Sequence, residues 1–235
     1  MIELENINKS FLIQQTDSAN RYLFRSVWEH IKGKHSRKQV LQNIGCTILP
    51  GERVAITGFN KSGKTTLAHI IAGIITPDSG SVFVEGKVVT VFGLGVGYST
   101  LLSGRENLLL NATALGATFK WLKQNFEAIR LFAEIEDLDM PLKFYSNGMR
   151  GRLALAAAIL IPCDILILDE VFVGLDEQFK AKSIAFLAER IKAKNITLIM
   201  TDHETENLQK LCVREICLDK GIIIKDLNLQ KEQLL

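Results

Sequence analysis

The sequence lacks a long apolar run. Its longest, residues 153–163, is interrupted by Pro162 and stopped by Asp164, whereas a helix crossing a membrane needs about 20 consecutive apolar residues. Cysteine is scarce too: the four, Cys46, Cys163, Cys212 and Cys217, show no C-x-x-C spacing and lie among apolar neighbours. That excludes a disulfide framework and a thiolate metal site, and predicts buried free thiols in a reducing cytoplasm. The chain carries little net charge, with 28 Lys and Arg against 26 Asp and Glu for a total of +2, which gives no overall signature of nucleic-acid binding. A signal peptide is not expected, because residues 2–7 already read as a strand. Neither an internal repeat nor a low-complexity segment nor a long linker is visible.

The charge that is present is unevenly placed. Residues 21–38 carry Arg21, Arg25, Lys32, Lys34, Arg37 and Lys38 against Glu29 alone, a net +5, so the rest of the chain is about −3. With 47% apolar and 23% charged residues over 235 positions, the composition fits one well-packed α/β domain, or one with an inserted lobe.

The clearest motif is Gly58-Phe59-Asn60-Lys61-Ser62-Gly63-Lys64-Thr65-Thr66, a G-x-x-x-x-G-K-T phosphate-binding loop. The apolar run Arg53-Val54-Ala55-Ile56-Thr57 precedes it and Leu67-Ala68-His69-Ile70-Ile71-Ala72 follows, giving the strand–turn–helix context the motif needs. Its glycines let successive amides of Gly58, Asn60, Lys61, Ser62, Gly63 and Thr66 curl around phosphate oxygens, and the helix start adds positive potential. Lys64 is placed to reach the terminal phosphates of ATP, and the Thr65 hydroxyl to ligate Mg2+.

Residues 2–7 and about 44–49 read as strands. Between them, residues 12–39 form an inserted segment whose centre, 21–32, has the helical spacing of an amphipathic helix with a basic face. A turn over 73–81 precedes strands at 82–85 and 88–92, and a glycine-rich loop, Gly93-Leu94-Gly95-Val96-Gly97, leads to Ser103-Gly104-Arg105-Glu106-Asn107. From about 100 to 160 the pattern is helical and reads as an all-α lobe inserted into the core. Ile165-Leu166-Ile167-Leu168 is apolar throughout, as in a strand buried on both faces of a parallel sheet, and ends in Asp169-Glu170. A helix at 179–193, a strand at 196–200, a helix at 204–211 and a hairpin around Asp219-Lys220-Gly221 complete the chain.

Two acids ending a central strand downstream of a phosphate loop fall where open α/β sheets bind ligands. Asp169 is positioned for magnesium and Glu170 for the water that attacks the γ-phosphate. His203, in Thr201-Asp202-His203 at the end of the next strand, could contact the γ-phosphate or orient that water. Taken singly, each group has an ordinary explanation as a strand end or surface histidine; their order along the chain argues for a joint role.

Tyr145-Ser146-Asn147-Gly148-Met149-Arg150 resembles the signature loop of ABC-type ATPases, and in this spelling that of the branch exporting bacterial surface polysaccharides. Gly95-Val96-Gly97-Tyr98 with Ser103–Asn107, the D-E-V run at Asp169, and His203 followed by Cys212-Val213-Arg214 and Leu218-Asp219-Lys220-Gly221 resemble the same branch. The resemblance spans nearly the whole chain. It implies an α/β fold with a P-loop NTPase core of ABC-ATPase type: a mostly parallel sheet flanked by helices, an N-terminal antiparallel β portion and an inserted helical lobe, all one nucleotide-binding domain over 1–235.

It further implies an ATPase that drives export of a lipid-linked polysaccharide such as O-antigen, capsule or teichoic acid. A separate integral-membrane permease would carry the cargo, and the chain would sit on the cytoplasmic face of the plasma membrane. Two copies would pair head to tail, Ser146 and Gly148 of one capping the γ-phosphate held by the other, with Asp176 of Val173-Gly174-Leu175-Asp176 communicating across the interface. A nucleic-acid partner is not implied, nor is there room after the last hairpin for a C-terminal carbohydrate-binding domain. Other ABC classes, importers or drug exporters, share the ATP chemistry but not the D-E-V and Y-S-x-G-M spellings, and a soluble ABC ATPase of repair or translation would need more chain. An ATP-binding regulator without hydrolysis is at odds with Lys64, Asp169, Glu170 and His203 together.

Three features depart from the wider family or stay open. Most ABC ATPases carry a glutamine after the strand at 88–92, and none occurs from Ser79 to Lys123. By resemblance Phe11 stacks on adenine, while Tyr22 or Phe24 could fold over the base instead and Phe11 could pack in the core. The basic segment reads as a solvated amphipathic helix, a contact to anionic headgroups or a gate for the pyrophosphate-linked glycolipid.

Overall fold

The computed structural model describes residues 1–13, 36–93, 97–202 and 204–229. Two sheets share the work. A three-stranded antiparallel sheet has the order β2-β1-β4, built from β1 (Ile2–Ile13), β2 (Ser36–Ile48) and β4 (Ser79–Val84). A six-stranded sheet has the order β5-β6-β7-β3-β8-β9, from β3 (Arg53–Thr57), β5 (Val88–Phe92), β6 (Ile165–Asp169), β7 (Thr197–Thr201), β8 (Arg214–Asp219) and β9 (Ile222–Asn228). All its pairings are parallel except the closing β8–β9 hairpin.

Every residue of β6 and β7 is buried, the condition under which a strand has no polar alternation to show. Helix α1 (Lys64–Ile71) packs on one face of this sheet with the antiparallel sheet above it. On the other face lie α2 (Gly104–Ala114), α3 (Phe119–Ala133), α4 (Asn147–Leu160) and α5 (Glu177–Lys194), and one apolar cluster runs from Val89 and Leu166 through Leu108, Leu122 and Leu153. The helical block therefore shares its core with the sheet. A short helix α6 (Thr205–Leu211) follows β7.

The first two strands are longer than the sequence suggested. β1 runs to Ile13 and β2 begins at Ser36, so both ends of the segment expected as an insertion over 12–39 are paired strand, Leu12 facing Arg37 and Phe11 facing Lys38. Register shifts along this pair, with Asn6 and Asn43 at positive φ, break the period-two alternation that would have revealed the strands. The amphipathic helix expected at 21–32, with Tyr22 and Phe24, lies outside the described residues. β4 likewise starts at Ser79, inside the expected turn, because its first residues pair with Glu5 and Asn8 of β1. Of the four cysteines, only Cys212 is fully buried; Cys46, Cys163 and Cys217 are partly exposed, and all four are free thiols.

Candidate functional site

The loop between β3 and α1 owes its shape to close approaches. Gly58 has φ 135°, and a Cβ there would fall 2.1 Å from the Leu218 carbonyl oxygen, so only glycine fits. Lys61 and Gly63 also sit at positive φ. Gly63 precedes α1 without a side-chain cap, which leaves the first-turn amides directed outward for an anion. Lys64 is buried, and its Nζ donates to the Gly58 carbonyl at 2.9 Å and the Phe59 carbonyl at 3.3 Å, folding back over the loop. The Ser62 hydroxyl is buried without a hydrogen-bond partner among the described residues, while Asn60 and Thr65 are exposed.

A cavity of about 490 Å³ opens in front of the loop, lined by Asn60, Lys61, Gly63, Lys64, Thr65 and Thr66, by Phe11, Lys38 and Val40 from the β1–β2 hairpin, and by Glu170. Phe11 is 39% exposed at this wall rather than packed in the core. An adjoining recess contains Gly93, Asp169, Glu170 and Val173. Asp169 is buried at the end of β6, where the Thr201 hydroxyl from β7 donates to its Oδ1. No cation pairs with it among the described residues. Glu170 holds φ 53°, a conformation uncommon outside glycine, asparagine and aspartate, and its amide donates to the Thr201 carbonyl at 3.1 Å. That turn aims the chain after the strand so that Glu170 lines both the cavity and the recess.

The loop at 145–150 is elsewhere. Ser146 caps α4, its Oγ accepting from the Met149 amide at 3.1 Å, and neither Ser146 nor Gly148 lines the cavity. Tyr145, just before, is buried and donates to the Asp137 carbonyl at 2.7 Å. Asp176 caps α5: its Oδ1 accepts from the Phe179 amide at 2.9 Å, and Oδ2 accepts from Arg152 of α4 at 2.6 and 3.0 Å. The Phe179 amide first, and the Arg152 guanidinium next, hold the Asp176 carboxyl below the usual carboxylate range. Arg152 also donates to Glu134 at 2.6 Å, so α4, the loop before α5 and the end of α3 are tied together.

The Ser103–Asn107 stretch acts locally. Ser103 and Glu106 form a capping box at the start of α2. Gly104 sits against the signature loop, for a Cβ there would fall 2.5 Å from the Tyr145 hydroxyl. Asn107, fully buried, accepts from the Ser99 amide at 2.7 Å and donates to the carbonyls of Ser99 and Ser103, both at 2.9 Å, and Leu102 at 3.2 Å. The loop that lacks the glutamine is thus clamped from below by one side chain.

The structure therefore brings together Phe11, Asn60, Lys61, Gly63, Lys64, Thr65, Thr66 and Glu170, sets Asp169 in the neighbouring recess, and keeps Ser146, Gly148 and Asp176 apart from them. His203 lies outside the described residues. Sequence reasoning missed Thr201, Lys38, Val40, Arg152 and Asn107 as contributors. Thr201 and Asn107 stood inside quoted motifs, whereas Lys38 and Arg152 depend on strand register and helix packing that no local pattern shows.

Comparison with known proteins gives the following. A family model described as ABC transporter matches residues 41–173. The O-antigen export system ATP-binding protein RfbB of Klebsiella pneumoniae is 35% identical over 196 residues, covering 83% of this chain and 78% of that protein. The polysialic acid transport ATP-binding protein KpsT of Escherichia coli is 32% identical over 225 residues, covering 95% and 90%. Among solved structures, a dimeric ATP-binding cassette in a post-hydrolysis state bound to ADP and Pi superposes with a TM-score of 0.78 at 20% identity, covering 97% of this chain and 99% of that one; at that identity the likeness speaks for the fold.

Proposed function

The chain belongs to the ABC transporter family, and on that premise we propose that it is the ATP-hydrolysing subunit of an exporter that moves a lipid-linked cell-surface polysaccharide. The observation that carries the reading is the division of the site. The phosphate loop and Glu170 share one cavity, while Ser146 and Gly148 stand at a separate helix start that does not line it. Two copies arranged head to tail supply the missing half of each site, and ATP binding then becomes the force that closes the dimer.

Within each half, the first-turn amides of α1 and the Lys64 ammonium receive the phosphates, Lys64 exchanging the Gly58 and Phe59 carbonyls for phosphate oxygens. The donor set fits magnesium: a buried Asp169 carboxylate with one hydroxyl donor and no cation among the described residues, and the Thr65 hydroxyl in the adjoining cavity, are the hard oxygen ligands this ion takes. When bound, the ion neutralises charge on the phosphate chain. Glu170, fixed by its backbone bond to Thr201, orients a water toward the γ-phosphate and accepts its proton. By the family resemblance His203 assists at the same phosphate.

Export of O-antigen, capsule or teichoic acid follows from the relatives, whose names assign them to O-antigen and polysialic acid export. Among the described residues no helix is long and apolar enough to cross a membrane, so a separate permease carries the cargo and the chain works peripherally on the cytoplasmic face. The test is Glu170→Gln. ATP hydrolysis should fall by roughly 10²–10⁴-fold, the contribution typical of a general base, while ATP converts the variant from monomer to a long-lived dimer in light scattering. Retention of wild-type turnover would remove Glu170 from this role. Loss of the gene should leave lipid-linked polysaccharide unexported, and the Glu170→Gln form should fail to restore export.

A further inference from the structure

One wall of the cavity carries a charge that the phosphate-loop chemistry does not use. Lys38 lies on β2 directly opposite Phe11 of β1, and directly opposed residues on an antiparallel pair point to the same face with Cβ atoms about 5 Å apart. Both line the cavity, as does Val40 two residues on, as the alternation of a strand requires. Arg37, of the opposite parity, is absent from that lining and lines a second recess with Ser10, Phe11, Leu12 and Asp78. Arg37 thus shares a recess with the Asp78 carboxylate, which Lys9 and Ser10 already hold. Lys38 is exposed and makes no hydrogen bond or ion pair among the described residues.

The hairpin is held against the loop. An added Cβ on Gly63 would fall 2.7 Å from Leu41 Cδ2 and 3.0 Å from the Val40 carbonyl oxygen, and the Gln42 amide donates to the Gly221 carbonyl at 2.8 Å. The cavity therefore has two fixed walls. Lys61 and Lys64 belong to one and Lys38 to the other, against the single carboxylate of Glu170. That is a cationic cleft bracketing the space where an anionic ligand is held.

We propose that Lys38 is a nucleotide-binding residue, its ammonium pairing with the phosphate chain from the hairpin wall while the loop holds it from the other. The inference rests on the reading of this cavity as the nucleotide site and deepens it. It also divides the basic stretch at 21–38: its last residue serves the nucleotide, not a membrane or glycolipid surface. The ammonium is solvent-exposed, so the pairing is worth what exposed ion pairs are worth, near the upper end of their range, which corresponds to a roughly fivefold change in affinity.

The experiment measures binding of ADP and of the non-hydrolysable analogue AMP-PNP, with magnesium, by titration calorimetry on the full chain. Lys38→Ala should weaken both by roughly fivefold at about 50 mM salt and by less than twofold at about 500 mM, because salt screens an exposed pair. Lys38→Arg should restore the affinity to within about twofold, and Arg37→Ala, which removes the same charge one residue away, should leave it unchanged. Unchanged affinity in Lys38→Ala, an equal loss in Lys38→Arg, an equal loss in Arg37→Ala or a loss that salt does not diminish overturns the proposal while the nucleotide site stands. Failure of the wild-type chain to bind AMP-PNP, or full binding by Lys64→Ala, overturns the reading beneath it as well.

Discussion

Replacing Asn107 by alanine should destabilise the protein by about 2–4 kcal/mol, although Asn107 touches neither cavity nor recess. The size follows from what each of its partners retains. The Ser103 carbonyl still accepts from the backbone amide of residue 107, the Leu102 carbonyl from Leu142, and the Ser99 carbonyl from Leu102. Among the described residues the Ser99 amide alone has no second acceptor, and an orphaned amide costs about 1–3 kcal/mol. Loss of packing around a side chain with no exposed surface adds about 1 kcal/mol. For a chain of this length the melting temperature should drop by roughly 5–15 °C.

Asn107→Asp separates the hydrogen bonds from the packing. The aspartate keeps the acceptor for the Ser99 amide but turns an anion toward the carbonyls of Ser99, Leu102 and Ser103. Burial and those oxygens would raise its folded-state pKa. A raised pKa means stability that is full below the unfolded aspartate value of about 3.9 and lost as pH rises above it, so the variant should approach the wild type near about pH 4 and fall away from it toward about pH 8. Urea unfolding at both pH values measures this. A loss below about 1 kcal/mol in Asn107→Ala, or Asn107→Asp equal to wild type at pH 8, would refute the clamp.

Two further expectations concern single contacts. Gly104→Ala drives a methyl against the Tyr145 hydroxyl at 2.5 Å and should destabilise by about 1–3 kcal/mol; Tyr145→Phe removes that oxygen, so the double variant should be more stable than the sum of the singles by about 1 kcal/mol in a urea double-mutant cycle, and strict additivity would show that the two loops do not meet. Burial pushes the Cys212 thiol from 9.0 up to about 12, so the folded state favours the protonated thiol and its stability is lost as pH rises above 9. Relative to Cys212→Ala, the wild type should lose about 1.4 kcal/mol between pH 8 and pH 10; a constant difference across that interval would contradict the burial.

Legibility varied with how local the cause was. The strand–loop–helix around Gly58–Thr66 needs only nearby residues, and the apolar strands ending at Asp169 and Thr201 announce themselves because burial on both faces leaves no polar alternation. The first hairpin did not. Its strands are interrupted by register shifts around Asn6 and Asn43, so the last two residues of β1 and the first four of β2 read as inserted chain, and residues 8–11 and 40–43 do not read as strand. The cysteines were read as buried from apolar neighbours in sequence, yet at Cys46 and Cys217 one face of the sheet is only partly covered, which neighbours along a strand cannot report.

By itself, the sequence determined which groups cluster as candidate phosphate ligands, because loop curvature, helix start and adjacent lysine are consequences of a few consecutive residues. It also determined the order of the acids and of the signature loop. Only tertiary structure decided the company they keep. Strand register set Lys38 opposite Phe11 on the cavity wall, the β6–β7 pairing gave Asp169 its Thr201, and helix packing sent Arg152 to Asp176 while leaving Ser146 outside the site of its own chain. These are meetings of residues tens of positions apart. Local propensities do not encode them; the summed burial of two apolar clusters does, by fixing how the sheets and helices lie on one another.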